Sequence, residues 1–307
     1  MRWPFKPKSG SRGPARAADR PDAEVVRELA EKHLTNPDLD RWLGLLRPAI
    51  QLFPHTGAGS SVARLGGLPL LPHDAEWPMW QGHGPLAYIG EIDCEQIGTF
   101  PLDIKLPSSG HLLFFYFDGS FDNFAATVGT WDAATLQGAR VVHVAGDASL
   151  EKRPTPTGLK TYPERQFRGR PILTAPGWEH PDLSTAFRTP GQDHRGFMDH
   201  PVNDDAFVEA LHERHTGPLH QIGGYADAVQ GPVEHEVALS ALGNEVPYDD
   251  SRLDDEARRW ELVLQVDTDE DLNMEWGDAG VLYWMGRVGE SEVAEAIDEF
   301  SFTWQCG

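Results

Sequence analysis

Two halves of the sequence carry the same succession of turn and strand signals, and this internal repeat limits the possible folds more than any other feature. In each half a Gly-Gly pair is followed by an apolar stretch that ends in Asp, then a polar loop, then a glycine that begins an aromatic stretch. The segments are Gly66-Gly67, 86–93 and 110–116 in the first half, and Gly223-Gly224, 262–267 and 280–285 in the second. A duplicated β unit explains this order with one assumption. The alternative is that short strand–turn–strand sequences resemble one another by composition.

The spacing within the repeat differs between the halves by one insertion. Asp93 follows Gly67 by 26 positions, whereas Asp267 follows Gly224 by 43. The excess of 17 coincides with an acidic stretch at 231–259, for which the sequence predicts helix. The second half is therefore interpreted as the same unit with an insertion.

Composition and periodicity together predict an α+β fold that is predominantly β. Gly (31 residues) and Pro (24 residues) are abundant, which favours turns and short strands. Several apolar stretches are hydrophobic on both faces, as in buried strands. We therefore expect internally duplicated antiparallel or mixed sheet units with N-terminal helices. Predicted helices span 21–34, 38–46, 203–215 and 291–297, and predicted strands span 86–93, 111–118, 140–145, 171–174, 260–267, 280–285 and 300–306.

The chain divides by composition into five segments. Residues 1–20 are rich in Pro, Gly and Arg and are expected to form a basic, disordered arm. The N-terminal helices at 21–48 precede the first β unit at 49–150. An irregular connection with a helix covers 151–218, and the second β unit covers 219–307.

Charge excludes one broad class of partner. The chain has 26 Lys and Arg against 48 Asp and Glu, a net charge of −22 at pH 7. Six of the cations and one of the acids lie in residues 1–20, so residues 21–307 carry 20 cations, 47 acids and a net charge of −27. A body this acidic repels phosphate backbones, so we expect no nucleic acid to bind it. The charge favours a basic protein or an extended basic peptide as the partner.

The sequence predicts a cytoplasmic protein that is not attached to a membrane. Its two cysteines, Cys94 and Cys306, are too few for a disulfide framework or a four-cysteine zinc site. The longest apolar run, 112–117, has six residues, against the roughly 18–20 that cross a bilayer. The start of the chain has charge but no apolar stretch behind it, unlike a signal peptide.

The densest combination of glycine and polar residues lies at 220–230, and we take it as a candidate binding segment. The Gly-Gly pair permits left-handed backbone and close approach of a ligand, and the polar side chains could line a groove. The alternative is a tight turn whose side chains satisfy buried backbone groups. The candidate residues are His220, Gln221, Gly223, Gly224, Tyr225, Asp227 and Gln230.

Equivalent Gly-Gly turns in a duplicated fold could bring their neighbouring loops to one exposed patch. Aromatic and acidic side chains there would suit a cationic peptide, through cation–π contacts and carboxylate pairing. We therefore predict that loops 69–80 and 225–230 converge with 276–278. The further candidate residues are Gly66, Gly67, Trp77, Trp80, Trp276 and Asp278. The opposing expectation is that these tryptophans belong to the core.

No motif predicts catalysis, a cofactor or a metal. Asp267 and Asp271 fall on positions one and five of a calcium loop, but Leu272 stands where that loop needs glycine. His212 and His215 are three positions apart on a predicted helix, with no further ligand fixed by spacing. A nucleophile elbow and a phosphate-binding loop are also absent from the sequence. We expect no catalytic residue, no cofactor and no metal site.

The motifs resemble those of the YwqG-like bacterial family, a domain of unknown function. The resemblance spans about residues 45–307 and is carried by 65–72, Trp77-Pro78, 86–93, 220–230, 264–267, 276–280 and 300–306. Gly223 and Ala226 depart from the family's usual Leu-Gly-Tyr-Pro-Asp, which alters the stiffness of the turn rather than its polar groups. The family in turn resembles the programmed-cell-death-2 proteins, which are implicated in ribosome biogenesis as chaperones of a ribosomal protein. Some bacterial relatives lie in polymorphic-toxin loci, which implies immunity roles.

Three functions are open on this basis. The first is a non-catalytic protein- or peptide-binding module, chaperone-like towards a basic partner, which the acidic body and the resemblance favour. The second is an immunity protein that neutralises a toxin through its acidic surface. The third and least favoured is a hydrolase that uses the segment 220–230. The sequence leaves the partner's identity and the oligomeric state open.

Overall fold

The computed structural model of the protein describes residues 21–57, 59–189, 191, 193–288 and 297–307. The arm predicted at 1–20 and all but the last residue of the helix predicted at 291–297 lie outside these residues. The helices are α1 (Asp22–His33), α2 (Asp38–Leu43), α3 (Cys94–Ile97), α4 (Pro181–Phe187), α5 (His194–Met198), α6 (Asp205–Glu213), α7 (Val233–Ala241) and α8 (Ser251–Ala257). The strands are β1 (Arg47–Pro54), β2 (Ala63–Leu65), β3 (Leu70–Pro72), β4 (Met79–Trp80), β5 (Gly84–Pro85), β6 (Ala87–Asp93), β7 (His111–Tyr116), β8 (Ala139–Val144), β9 (Leu150–Lys152), β10 (Arg165–Thr174), β11 (Gln221–Ile222), β12 (Trp260–Asp267), β13 (Val281–Val288) and β14 (Ile297–Gln305).

Local sequence sets the ends of the predicted helices. α1 begins after Pro21, with acidic residues in its first turn and basic residues in its last, so that its charges oppose the helix dipole. α6 begins where the carboxylate of Asp204 accepts hydrogen bonds from the backbone N–H groups of Ala206 and Phe207. The helices predicted at 21–34, 38–46 and 203–215 are confirmed, each with shorter bounds.

Ten strands form one antiparallel sheet that nearly closes on itself. The strand order is β14-β13-β12-β11-β1-β10-β2-β6-β7-β8, and every neighbouring pair is antiparallel. β3 pairs with β9, and β4 with β5, in two small separate ladders. The predicted α+β class with strands predominant is confirmed.

The two halves of the sheet share strand order, direction and register. β2-β6-β7-β8 runs outwards on one side of the centre, as β11-β12-β13-β14 does on the other. Glu91 of β6 faces Leu113, three residues after Gly110, and Gln265 of β12 faces Tyr283, three residues after Gly280. Each of these ladders also has a bulge at the same place, two residues before Glu91 and Gln265. The predicted duplication therefore extends to individual pairings.

The first strand of each half is exchanged with the other half. β1 precedes β2 in the chain but pairs with β11, and β10 precedes β11 but pairs with β2. β1 and β10 also pair with each other, which places their ladder on the pseudo-two-fold axis. The predicted sheet units are therefore joined in one sheet rather than separate.

Most of β10 was not predicted, because Pro171 interrupts its strand pattern. Proline lacks the N–H that a strand with partners on both sides requires. β2 covers only residues 165–167 of β10, whereas β1 pairs with it up to Thr174. Pro171 therefore sits where β10 has a partner on one side only.

Three apolar clusters hold these elements together. The largest joins both halves inside the curved sheet, where the rings of Phe114 and Trp284 lie 5.2 Å apart and those of Trp284 and Phe302 also lie 5.2 Å apart. A second cluster packs α7 and α8 against β12 and β13. The third packs α1 and α2 with α4, α5 and α6.

The two Gly-Gly turns have the same conformation. Gly66 and Gly67 have φ angles of +67° and +76°, and Gly223 and Gly224 both have φ of +71°. Each pair follows the second strand of its half, β2 or β11. L-residues avoid this left-handed region, whereas glycine, which has no Cβ, adopts it readily. Backbone geometry therefore explains why both turns have a glycine pair.

Candidate functional site

The segment at 220–230 is a loop that is fixed to the sheet through its buried polar groups. His220 and Gln221 are each 1% exposed and Tyr225 is 5% exposed. The side-chain amide of Gln221 donates to the carbonyls of Gly223 and Tyr225, both at 2.9 Å. These contacts correspond to the alternative that the sequence left open, a turn whose side chains satisfy buried backbone.

Two glutamines from the neighbouring strands complete this support. Gln265 of β12 accepts from the N–H of Asp227 at 3.0 Å and donates to the carbonyl of Leu219 at 2.9 Å. Gln305 of β14 accepts from the N–H groups of Val229 (2.8 Å) and Gln230 (2.9 Å). The amide of Gln305 donates to the carbonyl of Gly231 and to Glu236, both at 2.8 Å.

Replacing Gln305 with methionine is expected to destabilise the protein by about 2 kcal/mol, because two N–H groups and a carbonyl lose their buried partner. Urea unfolding followed by circular dichroism measures the change. Gln230→Ala is the matched control, since the Gln230 side chain is exposed, and it should change stability by less than about 0.5 kcal/mol. Equal effects of the two substitutions would contradict a supporting role for Gln305.

His220 belongs to the core rather than to an open site. Its Nδ1 accepts from the backbone N–H of Asp267 at 3.1 Å, so its Nε2 carries the proton and faces the carboxylate of Asp269 at 3.2 Å. The ring packs edge-on against Phe167, with centroids 5.4 Å apart. The histidine therefore links β11 to the loop after β12.

Tyr225 anchors a closed cluster of ionisable groups at the start of α4 and α7. Its hydroxyl lies 3.3 Å from the carboxylate of Asp182, and its ring packs against His180 and under the guanidinium of Arg47. His180 and Glu234 are each 6% exposed. Burial lowers the pKa of His180 to about 4 and raises that of Glu234 to about 7. Burial therefore favours the neutral forms of His180 and Glu234.

Asp227 connects the segment to α6. Its carboxylate lies 3.2 Å from Nδ1 of His212, and this hydrogen bond raises the pKa of the imidazole. His215, one turn further along the chain, is partly buried, and burial lowers its pKa to about 4. His212, in α6, and His215, just beyond its end, therefore have different environments.

The predicted tryptophans lie largely in the core. Trp80 is 6% exposed and packs edge-on against Phe117, and Trp276 is 4% exposed and packs edge-on against Tyr162. Trp77 is half-buried and donates from its indole to the carbonyl of Leu86 at 2.9 Å. Of the two patch residues predicted at 276–278, Trp276 is buried and Asp278 is exposed.

The two Gly-Gly turns lie at opposite ends of the β1–β10 ladder. Gly224 packs beside Thr174, at one end of the β1–β10 ladder, and Gly67 packs beside Glu164, beyond the other end. Ten residues of extended chain span roughly 33 Å, at about 3.3 Å per residue. Two-fold symmetry about the ladder therefore separates equivalent turns instead of bringing them together. Trp276 lies near the first turn, through Tyr162, whose carbonyl accepts from Gly67. The neighbouring Gly277 packs against Trp304 and Cys306, on either side of the Gln305 that supports residues 229 and 230.

The structure places an open groove elsewhere, in the seam between the two edge strands of the sheet. β8 and β14 are the two edge strands of the ten-stranded sheet, and they approach each other without forming a ladder. The groove between them has a volume of about 310 Å³. Its lining residues are Ala133, Leu136, Gln137, Ala139, Arg140, Val141, Trp284, Phe300, Ser301 and Phe302. We refer to it as the seam groove.

The seam groove combines an apolar floor with hydrogen-bonding groups that lack partners. Trp284 is 1% exposed, and its indole N–H has no hydrogen-bond partner. A buried donor without a partner costs about 1–3 kcal/mol, so a ligand that supplies an acceptor would recover part of this cost. Edge strands also present backbone N–H and C=O groups to whatever lies beside them. The groove therefore suits an extended polypeptide.

Sequence reasoning missed this site because an edge strand is defined by topology. The alternation of Phe300, Phe302 and Trp304 predicts a strand with one apolar face. It does not indicate that the strand ends the sheet or that the other end of the sheet lies beside it. The signal that could have found it is the duplication itself, since the last strand of each unit has no further unit to pair with.

The family model described as a domain of unknown function (DUF1963) matches residues 63–306. The chain belongs to this family. The DUF1963 match begins at β2 and includes both edge strands and the seam groove, whereas the exchanged strand β1 lies before it. No curated protein matches the chain.

Within the described residues, no three His, Cys, Asp or Glu side chains are grouped so as to hold a metal ion. In the same part of the chain, no helix is long and apolar enough to cross a membrane.

Proposed function

We propose that this protein is a non-catalytic polypeptide-binding module of the cytoplasm that holds an extended basic segment of a partner in the seam groove. The observation that carries the proposal is the groove itself, with its apolar floor, its two open strand edges and the unpartnered indole N–H of Trp284. Strand addition to an open sheet edge is a recurrent mode of peptide recognition. The partner would be held in an extended state, as a chaperone holds its client.

Charge supports a basic segment. Residues 21–307 carry a net charge of −27, which attracts cations over the whole surface and speeds their encounter. Glu299 of β14 adjoins the groove-lining Phe300, is 55% exposed at its side chain and pairs with Arg287 at 3.3 Å. The resemblance to YwqG-like and programmed-cell-death-2 proteins points in the same direction, because the latter are implicated as chaperones of a ribosomal protein.

The direct test is titration with a defined probe, an acetylated and amidated nonapeptide that alternates Lys and Val. We expect saturable binding by calorimetry, with an affinity that falls by roughly three- to tenfold between about 50 and 300 mM NaCl, because exposed charges are screened. A control peptide with the same residues in blocks has no single apolar face and should not bind. Equal binding of both peptides would show attraction by charge alone and would overturn the proposal.

Two substitutions of opposite charge at a single groove position test whether the peptide binds in the groove. Ser301 lines the groove and is partly exposed, so it accepts either sign of charge without a core defect. Ser301→Glu should strengthen binding of the Lys/Val peptide, and Ser301→Lys should weaken it, each by roughly two- to fivefold. Identical affinities for the two variants would place the peptide elsewhere.

The acidic body also supports an immunity role as a second candidate. A folded basic toxin would cover a broad part of the acidic surface and would not depend on the groove. Affinity purification from native lysate, compared between wild type and Ser301→Lys, separates the two. Loss of the captured protein in the variant favours the groove, and retention of a basic toxin favours the immunity role.

A further inference from the structure

The seam groove lies on the pseudo-two-fold axis, at the opposite side of the sheet from the β1–β10 ladder. His111 of β7 pairs with Val144, and its counterpart Val281 of β13 pairs with Gln305. Counting back from these pairs, Ala139, Arg140 and Val141 correspond to Phe300, Ser301 and Phe302. Each of these six residues lines the groove. The two walls are therefore the same three positions of the duplicated unit, with different side chains.

Because the two walls are related by the pseudo-two-fold axis, only sequence differences between them can favour one direction for a bound strand. Nine successive antiparallel pairings separate β8 from β14, so these two strands run in opposite directions. A single strand in the seam is consequently antiparallel to one wall and parallel to the other. With identical walls both directions would be equivalent, and only the divergence between the walls can select one.

The walls differ in how free their edges are. The guanidinium of Arg140 donates to the carbonyls of Ala139 and Leu136, at 3.0 and 3.4 Å, so part of the β8 edge is already occupied. Among the described residues, the backbone of β14 makes hydrogen bonds only to β13. β14 is also longer, with nine residues against six. Antiparallel pairing is the more stable kind, so the longer and freer edge is the better antiparallel partner.

The two walls also differ in charge. Arg140 is the cation on the β8 wall, whereas β14 carries the carboxylate of Glu299, which is 55% exposed and pairs with Arg287 of β13 at 3.3 Å. Cross-strand pairs of opposite charge stabilise a ladder, and like charges destabilise it. A basic strand is therefore disfavoured beside Arg140, which leaves the β14 side as its better neighbour.

On the basis of the proposed function, we infer that the occupant is a single strand that runs antiparallel to β14. Its cationic side chains alternate with apolar ones, and the apolar ones enter the groove. One inward side chain carries a hydrogen-bond acceptor for the indole N–H of Trp284. Lys or Arg on the outward face lies beside Glu299. The partner is thus a basic, amphipathic β segment with a hydroxyl or amide among its inward residues.

Disulfide trapping tests the edge assignment with a matched pair of variants. Ser301→Cys and Arg140→Cys place a thiol at equivalent positions on the two walls, in a Cys306→Ser background where the remaining Cys94 is buried. The probe is the Lys/Val peptide with its central lysine replaced by cysteine. Neighbouring strands bring opposed Cβ atoms within about 4.5–5.5 Å, close enough for a disulfide. We expect Ser301→Cys to trap the probe at least about tenfold faster than Arg140→Cys.

Each other result overturns the inference in a recognisable way. Equal trapping by both variants, or faster trapping at Arg140→Cys, would reject the β14 assignment and leave the proposed function standing. Trapping by neither variant, with calorimetric binding intact, would reject the groove as the binding place. A disulfide-linked dimer of Ser301→Cys without the probe would assign the edge to a second copy of the chain. Absence of binding to the wild type would reject the proposed function itself.

A double-mutant cycle tests the acceptor. Replacing the second valine of the probe by threonine adds a hydroxyl with almost no change of shape. The threonine probe should bind wild type roughly three- to tenfold more tightly than the valine probe, as expected for one hydrogen bond. In Trp284→Phe this preference should disappear, while the thermal midpoints of both proteins and binding of the valine probe report on folding. If Trp284→Phe still binds the threonine probe more tightly than the valine probe, the indole of Trp284 does not hydrogen-bond the hydroxyl.

Discussion

Gly66→Ala should destabilise the protein by about 2–5 kcal/mol, a large share of the 5–15 kcal/mol typical of a folded domain. Gly66 has a φ of +67°, where alanine costs about 1–2 kcal/mol. A Cβ at this position would also clash with the carbonyl oxygen of Pro163, which is backbone and cannot turn away. Such overpacking adds about 1–3 kcal/mol. Urea unfolding measures the sum.

Gly82→Ala is the matched control for this prediction. Gly82 has a φ of +84°, but a Cβ there would have no atom within 4 Å. The control should therefore cost only the left-handed strain, about 1 kcal/mol. If Gly66→Ala is no more destabilising than Gly82→Ala, the close approach of the first turn to Pro163 is not a real constraint.

The repeat could be predicted from the sequence because each of its elements has a short, local sequence pattern. Glycine pairs with left-handed backbone and strands with two apolar faces are each recognisable within ten residues. β12 matches its prediction at both ends, and β6 and β7 differ from theirs by one or two residues. These elements depend mainly on their own side chains.

The exchange of first strands could not be predicted, because β1 fits either half equally well by pattern. Its residues Ile50 and Leu52 are apolar and buried, as they would be beside β2 or β11. Which strand it joins depends on the whole sheet. The separation of the two Gly-Gly turns could not be predicted for the same reason, since the position of the symmetry axis decides whether equivalent turns meet.

The candidate site residues were chosen for their hydrogen-bonding side chains, which occur both in ligand sites and in protein cores. A segment with His220, Gln221 and Tyr225 offers donors and acceptors whether they face a ligand or the backbone. Gln265 and Gln305, which occupy the acceptors and donors of that loop, lie 38 or more positions away in the chain. Local sequence therefore could not show that the polar groups were already satisfied.

Stability should depend on pH through Glu234, in the direction opposite to an ordinary ion-paired carboxylate. Burial raises its pKa from 4.5 to about 7, and hydrogen bonds from the backbone of Glu234 and Ala226 offset this only in part. Between pH 4.5 and 7 the unfolded chain releases this proton while the folded protein keeps it. The group therefore destabilises the fold increasingly as pH rises, by about 3 kcal/mol once pH exceeds 7, at 1.36 kcal/mol per unit.

Two histidines act against this trend and must be separated from it. His180 and His215 have pKa values lowered to about 4 by burial. As pH falls below 6.5 the unfolded chain takes up protons that the folded protein does not, so their contribution to stability is lost between pH 6.5 and 4. These opposing effects add to those of other groups with shifted pKa values, such as Glu236 and Glu261, so a substitution is needed to isolate Glu234.

Glu234→Gln isolates it, because glutamine matches the shape of the protonated carboxyl and does not titrate. The substitution should be close to neutral at pH 4.5 and should stabilise the protein by about 3 kcal/mol at pH 8, with the rise between these limits centred near pH 6. Urea unfolding of both proteins across this range gives the difference directly. Glu245→Gln, at an exposed position, should change stability by no more than about 0.5 kcal/mol throughout. A constant difference between Glu234→Gln and wild type would mean that water reaches this carboxyl, and that the cluster around Tyr225 is open rather than closed. Such an opening would return the hydrolase alternative to consideration, because an accessible carboxyl beside His180 and Tyr225 has the groups that proton transfer requires.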